Sequence, residues 1–535
     1  MSKEEGIVNS ELDRAEIDAR ATQQDEHITS KFEACKRNPK IVGWIALMVW
    51  TLVIVGFDNS ASGQVLSIPQ FRKNFGYLYK GEYLLDAKWQ SAISGGPTAM
   101  NVIGIVCSSW LADRIGKKPV ISAALVLSTT AIGVEFGCKS LQMFFAGKMM
   151  NGIALGTFNG LCVAYVAEVS PLPIRAVATG CCNLAQTIGP FIGSIMGNFV
   201  GTWTTEWSYK SLFVAQWGFA IFALVAQPFM PESPWFYLKH GHEDKARRSL
   251  QRLYSNDEDA ENHLKVLKIT LEEANTLNNA GGSYLDCFKG TNRRRTLIAV
   301  LVFATHPFSG VSFISSYGAF IYQLIGIKTA ESFHISVGAQ VLSMSGTLVS
   351  FLIVDRFGRR PLLIGGVTSM SLILLLSAST GTATQNPHAR LACVAFLTMF
   401  NFFYNGGIGA IAYTIASEIP TAVLRTKTFA LAIAFYQSMN TMWTFVLPYI
   451  INPGEADLGA RVGFIFFGFT LICLTLVIIF VPEISNRTYE EMDELFANKV
   501  PAWKFKSYIT AAQERAKMAY NVREKTEAIE HVEQV

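Results

Sequence analysis

Long stretches almost free of charge recur along this chain, each parted from the next by a polar loop. Runs of about 18 or more such residues mark helices long enough to cross a bilayer. Twelve are found, near 42–66, 90–111, 120–138, 142–166, 176–200, 211–230, 297–322, 333–354, 361–382, 390–416, 428–451 and 463–481. Gly or Pro interrupts several of them, as membrane helices tolerate. The pattern predicts an all-α membrane protein with twelve spanning helices. The polar remainder then sets the domains. Residues 1–40 form a polar N-terminal tail that reads as disordered, and 41–230 a first six-helix unit. Residues 231–296 form a helical linker, 297–481 a second six-helix unit and 482–535 a polar C-terminal tail.

The two units repeat one another. Asp113-Arg114-Ile115-Gly116-Lys117-Lys118-Pro119 returns as Asp355-Arg356-Phe357-Gly358-Arg359-Arg360-Pro361. Glu168 with Arg175 returns as Glu418 with Arg425, and Pro231-Glu232 as Pro482-Glu483. Subtracting positions gives offsets of about 242, 250 and 251 residues, so order is kept and spacing drifts only by loop lengths. Tandem copies of one membrane unit are an arrangement of transporters with a central site.

Composition supports the membrane reading. Half of the 535 residues are hydrophobic and only 16% are charged, against roughly 25% in soluble domains. The formal net charge of +4 says little when most of the surface faces lipid, and nothing in it points to nucleic acid. Nine cysteines, mostly inside apolar runs, do not read as a disulfide framework. Loop cations set the orientation. Arg114, Lys117, Lys118, Arg175, Arg356, Arg359, Arg360, Arg425 and Lys427 all fall on one side, which predicts that face and both termini to be cytosolic. The loop 67–89, with Arg72, Lys73, Lys80 and Lys88, is a weak vote the other way. Asn486-Arg487-Thr488 is a glycosylation sequon on the predicted cytosolic side.

Three sets of residues carry candidate chemistry. Acid and base recur together at the basic loops: Asp113, Arg114, Glu168 and Arg175, then Asp355, Arg356, Glu418 and Arg425. Such a cluster reads as a cytosolic gate that locks the halves in one state and releases them in another, the alternative being charges that only hold the loops on the cytosolic side. Asp58 is the second. It stands at membrane depth, where a charge costs about 2.5–3.5 kcal/mol on insertion scales. It lies about 12 Å below the outer surface, and Lys148 on the fourth span about 13 Å below it, at about 1.5 Å per residue. The two can therefore lie level, which makes Asp58 a candidate proton site with Lys148 its switchable partner, the alternative being a static ion pair that holds two helices together. The third set is amides, hydroxyls and aromatics that suit a sugar: Asn183, Gln186, Ser312, Ser316, Tyr317, Asn401, Tyr404, Asn405, Tyr413, Tyr436, Gln437, Asn440 and Trp443. Buried amides need partners, so each is also a candidate for bonding between helices.

Together these motifs resemble the sugar porter family of the major facilitator superfamily. The marks are the two Asp-Arg-x-Gly turns, Pro231-Glu232-Ser233-Pro234, Glu168 to Arg175, Glu418 to Arg425, and Pro482-Glu483 with Arg487-Thr488. Within that family the chain is similar to the fungal maltose and α-glucoside permeases. Asp286-Cys287-Phe288-Lys289-Gly290, Phe403-Tyr404-Asn405-Gly406-Gly407 and Ser417-Glu418-Ile419-Pro420-Thr421-Ala422 carry that likeness. The resemblance implies the major facilitator fold, with 12 transmembrane helices in two six-helix bundles and a cytosolic helical linker. It implies a central sugar site and alternating access. It also implies a proton-coupling pair at Asp58 and Lys148, with Asn183, Tyr413 and Gln437 in contact with sugar or lining its cavity. The chain departs from the family pattern at several positions. His306-Pro307 stands where a glutamine pair is usual, Ser312 replaces a common asparagine, and Pro190 replaces a glutamine. Val55 and Ile433 stand where the α-glucoside permeases tend to carry Glu and Arg. His306 becomes a candidate substrate donor or second titrating group, against the alternative of a histidine that packs between helices beside Pro307.

The expected function is secondary active transport of a sugar, an α-glucoside such as maltose, across the plasma membrane by proton symport. The expected partners are the sugar, the proton and the bilayer, with the chain acting as a monomer. The alternatives are a different sugar, a polyol or a glycosylated metabolite, moved by uniport or efflux, and a transporter-like nutrient sensor. A sensor is expected to carry a long cytosolic tail; here about fifty residues follow the last span. No nucleophile–base set, phosphate loop or metal spacing stands out, so no enzyme and no cofactor are expected.

Overall fold

The computed structural model describes residues 31–79, 82–279, 283–421, 424–485 and 489–510. The first half consists of α1 (Pro39–Ser67), α2 (Ala87–Ile115), α3 (Lys117–Phe136), α4 (Leu141–Val169), α5 (Leu172–Val200) and α6 (Trp207–Ala226). The second half opens with α7, built of Gly290–Phe308 and Val311–Leu324 and broken at Gly310, where φ is +81°. It continues with α8 (Thr329–Phe357) and α9 (Arg359–Gly381). α10 runs from Pro387–Tyr404 through a π-helical stretch, Asn405–Gly409, into Ala410–Glu418. α11 (Arg425–Ile451) and α12 (Val462–Phe480) complete it. Each of the twelve predicted runs is occupied by one of these helices.

Eight of the twelve are long and apolar enough to count as membrane spans on length and mean hydropathy alone, among the described residues. The remaining four are α2, α5, α8 and α11. These helices pack across the two halves, α2 against α11 and α5 against α8, as α1 also does against the Val311–Leu324 part of α7. The tandem repeat exchanges one pair for the other.

Helix ends run past the hydrophobic windows. α7 starts at Gly290 rather than 297 because its first turns are anchored from below. Arg295 pairs with Asp493 at 2.7 Å, and Arg294 donates to the Val500 carbonyl at 2.8 Å. That part of the C-terminal segment holds a docked helix, Tyr489–Ala497. The linker contains helices Pro234–Lys239, Glu243–Leu253 and Asp257–Asn279, then a short 3-10 turn, Tyr284–Phe288. Residues 67–89 are more ordered than a loop, with helix Pro69–Phe75 and a hairpin of β1 (Tyr77–Tyr79) and β2 (Glu82–Leu84) in register Tyr77↔Leu84. Most of the N-terminal tail, the sequon and the last 25 residues lie outside the described residues.

Both Asp-Arg-x-Gly turns close in one way. Gly116 and Gly358 adopt φ of +96° and +86°, which side-chain-bearing residues rarely reach. Glu232 accepts the backbone N–H groups of Lys117 and Lys118 at 3.0 and 2.9 Å. Glu483 does the same for Arg359 and Arg360, both at 3.2 Å. The first acid after α6 or α12 thereby caps α3 or α9, satisfying amides that a helix start leaves unpaired.

Candidate functional site

Asp58 of α1 is buried, and one of its carboxylate oxygens collects three donors. Lys148 Nζ on α4 lies at 2.7 Å, Gln216 Nε2 on α6 at 2.9 Å and Asn151 Nδ2 on α4 at 3.0 Å. Asn151 is held in turn by the Ser128 hydroxyl of α3 at 2.8 Å. Lys148 also meets Glu135 of α3 at 3.2 Å. Lys148 and Glu135 are both 0% exposed, and the rings of Phe144 and Phe213 lie 5.9 Å from the ammonium. Local sequence makes the room, since a Cβ on Gly147 would stand 2.8 Å from Glu135 Cγ. Two acids and one ammonium thus share a dry site inside the first half. Removing one partner of such a buried pair costs about 3–5 kcal/mol, so the cluster tolerates only linked changes of charge and position.

The second half holds an aromatic counterpart. His306 on α7 is 3% exposed, and its Nδ1 lies 2.8 Å from the Tyr404 hydroxyl. Its ring stacks on Phe303 and meets Tyr413 and Tyr436 edge-on at 6.5 and 5.4 Å. Nε2 has no hydrogen-bond partner among the described residues. Tyr413 is 45% exposed although packed on Phe303. Ser312 donates to Asn440 at 2.5 Å, tying α7 to α11. Asn405 donates to Ser343 of α8 at 2.9 Å, and Gln437 is half-buried on α11. Tyr317 is buried, its hydroxyl 3.4 Å from the Thr444 carbonyl. Asn183 and Gln186 stand half-buried on α5, across the divide from these.

Direct hydrogen bonds between the halves, among the described residues, lie at the end away from the basic loops. Arg72 donates to Gln323 at 2.7 Å, and Gln323 donates to the Ser67 carbonyl at 3.1 Å. Ser91 donates to the Phe445 carbonyl at 2.7 Å, and Gln90 to Asn452 at 3.2 Å. Nearby, a crevice with a free volume of about 30 Å³ touches Ser60, Gln64, Ser194, Ser316, Gln340 and Asn401. That volume suits a water rather than a sugar ring. At the basic end, the ion pairs seen among the described residues lie within each half. Glu168 meets Lys117 and accepts from Ser233 at 2.6 Å, while Glu418 lies 3.6 Å from Arg359. Asp113 pairs with Lys239 at 3.1 Å, Arg114 lies 4.0 Å over the Trp110 ring, and Arg175 donates to the Ser170 carbonyl at 3.2 Å. Arg425 opens α11; the side chains of Asp355 and Arg356 lie outside those described.

A membrane fold of repeated halves, carrying a buried acid–amine cluster in one and polar aromatics in the other, invites comparison with transport proteins. The family model described as "Sugar (and other) transporter" matches residues 44–496. The chain belongs to this family. It is a multi-pass membrane transporter rather than an enzyme. It is 32% identical over 513 residues to the general α-glucoside permease of Saccharomyces cerevisiae, covering 94% of this chain and 83% of the permease. It is 32% identical over 533 residues to the maltose permease MAL31 of the same organism, covering 97% and 86%. Among solved structures, the xylose transporter XylE of E. coli, in a partially occluded inward open conformation, aligns with a TM-score of 0.68. The identity is 18%, over 84% of this chain and 100% of that chain. That likeness establishes the major facilitator fold.

Within this transporter's site, sequence reasoning paired Asp58 with Lys148 but passed over Glu135, Asn151 and Gln216. Glu135 had a legible signal, being an acid inside an otherwise uncharged run. Gln216 had none, because an amide on an apolar helix announces no direction.

Proposed function

We propose that this transporter imports an α-glucoside, maltose or a related oligosaccharide, across the plasma membrane by alternating access, taking up protons with the sugar. The observation that carries the coupling is the Lys148 ammonium held 2.7 Å from Asp58 out of contact with water. The substrate class rests on the 32% identity to α-glucoside and maltose permeases along nearly the whole chain. In this reading the basic-loop face is cytosolic, with both termini there, and the structure is an inward-facing state. Its outer end is held by the Arg72–Gln323–Ser67 and Ser91–Phe445 contacts. Asn183 and Gln186 of one half, and Tyr413, Gln437 and Asn440 of the other, bind the sugar between them. Protonation of Asp58 weakens its bond to Lys148 and lets α1 move against α4. The chain works as a monomer.

One observation favours a second cargo. The enclosure of His306 by Phe303, Tyr404, Tyr413 and Tyr436 presents more aromatic surface than an amide-lined site, and suits a glycoside with an apolar aglycone.

The test expresses the chain in yeast lacking its own sugar permeases and offers radiolabelled maltose, glucose and aryl glucosides while external pH is recorded. Uptake of maltose with alkalinisation of the medium is the expected result. Uptake without proton movement rejects the symport, and growth signalling without uptake rejects transport.

A further inference from the structure

Asp58 and Lys148 alone make an awkward proton switch. Once the acid is protonated, a fully buried ammonium is left without a counter-ion, in contact with two aromatic rings. That state costs far more than the proton brings, because an uncompensated charge in a dry interior is the most expensive arrangement available to it. The third side chain in the cluster answers the difficulty. Glu135 reaches the same ammonium from α3, at 3.2 Å and with no solvent exposure. Neither of its oxygens has a well-aligned hydrogen-bond donor of its own. Asp58, by contrast, has two amide donors besides the ammonium.

We propose that Glu135 is the alternate counter-ion of Lys148, and that the ammonium passes from Asp58 to Glu135 when Asp58 takes a proton. The inference rests on the proton-symport reading and deepens it. Before loading, the cluster holds two carboxylates and one ammonium, a net charge of −1 softened by the Asn151 and Gln216 amides. On loading, the proton binds a carboxylate oxygen of Asp58. The Lys148–Asp58 hydrogen bond breaks, the Lys148–Glu135 bond tightens, and the cluster becomes neutral. Lys148 needs only a short swing, since it already touches both acids. Sharing the ammonium also loosens its hold on Asp58, which a single strong pair would keep ionised. The other charged or titratable groups near Glu135 are few. Cys138 follows it on its own helix end, and Lys210 on α6 is paired with Glu206 at 2.6 Å.

Two measurements test this. Uptake of radiolabelled maltose, with proton recording, is followed against external pH for wild type, Glu135→Gln, Glu135→Asp and Asp58→Asn. Without Glu135 the ammonium belongs to Asp58 alone. The half-maximal pH of proton-driven uptake in E135Q is therefore expected to move acidic by about one unit, with E135D restoring most of it. Thermal unfolding of the purified full-length protein supplies a readout independent of transport. D58N and E135Q each leave Lys148 one anionic partner, whereas the double variant leaves none. The fall in Tm of the double variant should exceed the sum of the single ones. An E135Q profile that superimposes on wild type, or additive losses in Tm, overturns the inference and leaves the symport standing. Wild-type uptake that moves no proton at any pH overturns the symport itself, and this inference with it.

Discussion

The Glu232 carboxylate caps α3 by accepting the backbone N–H of Lys118 at 2.9 Å, across 114 residues of sequence. Glu483 stands in the same relation to Arg360 at 3.2 Å. The repeated motifs are thus acceptors and donors of one structural bond, made once in each half.

Charge-assisted bonds of this kind contribute about 1.5–3 kcal/mol. Glu232→Ala and Glu483→Ala should each lower the Tm of the solubilised protein by a similar amount. Gly116→Ala should cost at least as much, since its Cβ would stand 2.4 Å from Glu232 Oε2 at a φ of +96°. Equal Tm values for wild type and these variants would refute the capping role.

Asp58→Asn removes the titrating acid but keeps a hydrogen-bond acceptor for Lys148. Concentrative maltose uptake should fall to roughly the level of equilibration, because no proton is coupled. Exchange of labelled for unlabelled sugar across the membrane should persist. Retained accumulation in this variant would show that the proton binds elsewhere.

Gln323→Ala deletes both the Arg72 and the Ser67 contacts at the outer end. At about 0.5–1.5 kcal/mol for an ordinary bond and about 1.5–3 for one to a charged group, the outward-facing population should rise several-fold or more. A cysteine introduced at Ser67 reports it through labelling by a membrane-impermeant maleimide, and unchanged labelling would remove these contacts from the gate.

Burial raises the Glu418 carboxyl above its ordinary value of 4.5, and Arg359 opposes the shift. The acid therefore binds its proton more readily here than in the unfolded chain. Its contribution to stability is present below the ordinary value and fades as pH rises through the raised one. Glu418→Gln should flatten this part of the stability–pH curve, and a curve identical to wild type would count against it.

The helices were legible because a bilayer imposes their length, and the repeat because its motifs sit at helix ends that geometry fixes. Depth was legible too: Asp58 and Lys148 could be levelled by counting residues. Direction around a helix was not. Glu135, Asn151 and Gln216 reach the same point only because of how α3, α4 and α6 are rotated, and no count of residues contains that rotation. Arg72 shows the same limit. In sequence it was a weak vote against the predicted orientation; folded, it holds Gln323 across the join between the halves, at the end away from the basic loops. Asn405 stood at a plausible depth for sugar, yet its amide bonds Ser343 and the Asn401 carbonyl. The charges of the basic loops were expected to lock the halves in one state and release them in another; in this structure Glu168 and Glu418 pair inside their own half.

The undersides of the two halves are built separately. Arg252 fastens the linker helices to the Phe229 carbonyl at 2.7 Å, and Arg37 ties α1's approach to Asp259. On the other side, Arg295 grips the Tyr489–Ala497 helix, and Thr296 donates to the Cys287 carbonyl at 2.8 Å. Each bundle therefore carries its own floor plate, the helices Pro234–Lys239, Glu243–Leu253 and Asp257–Asn279 under the first and Tyr284–Phe288 with Tyr489–Ala497 under the second, with a seam between the plates. Tilting the bundles need not tear either plate. A bridge laid across that seam, whether a disulfide staple or an antibody fragment gripping both plates, would stall the machine without touching the route its cargo takes.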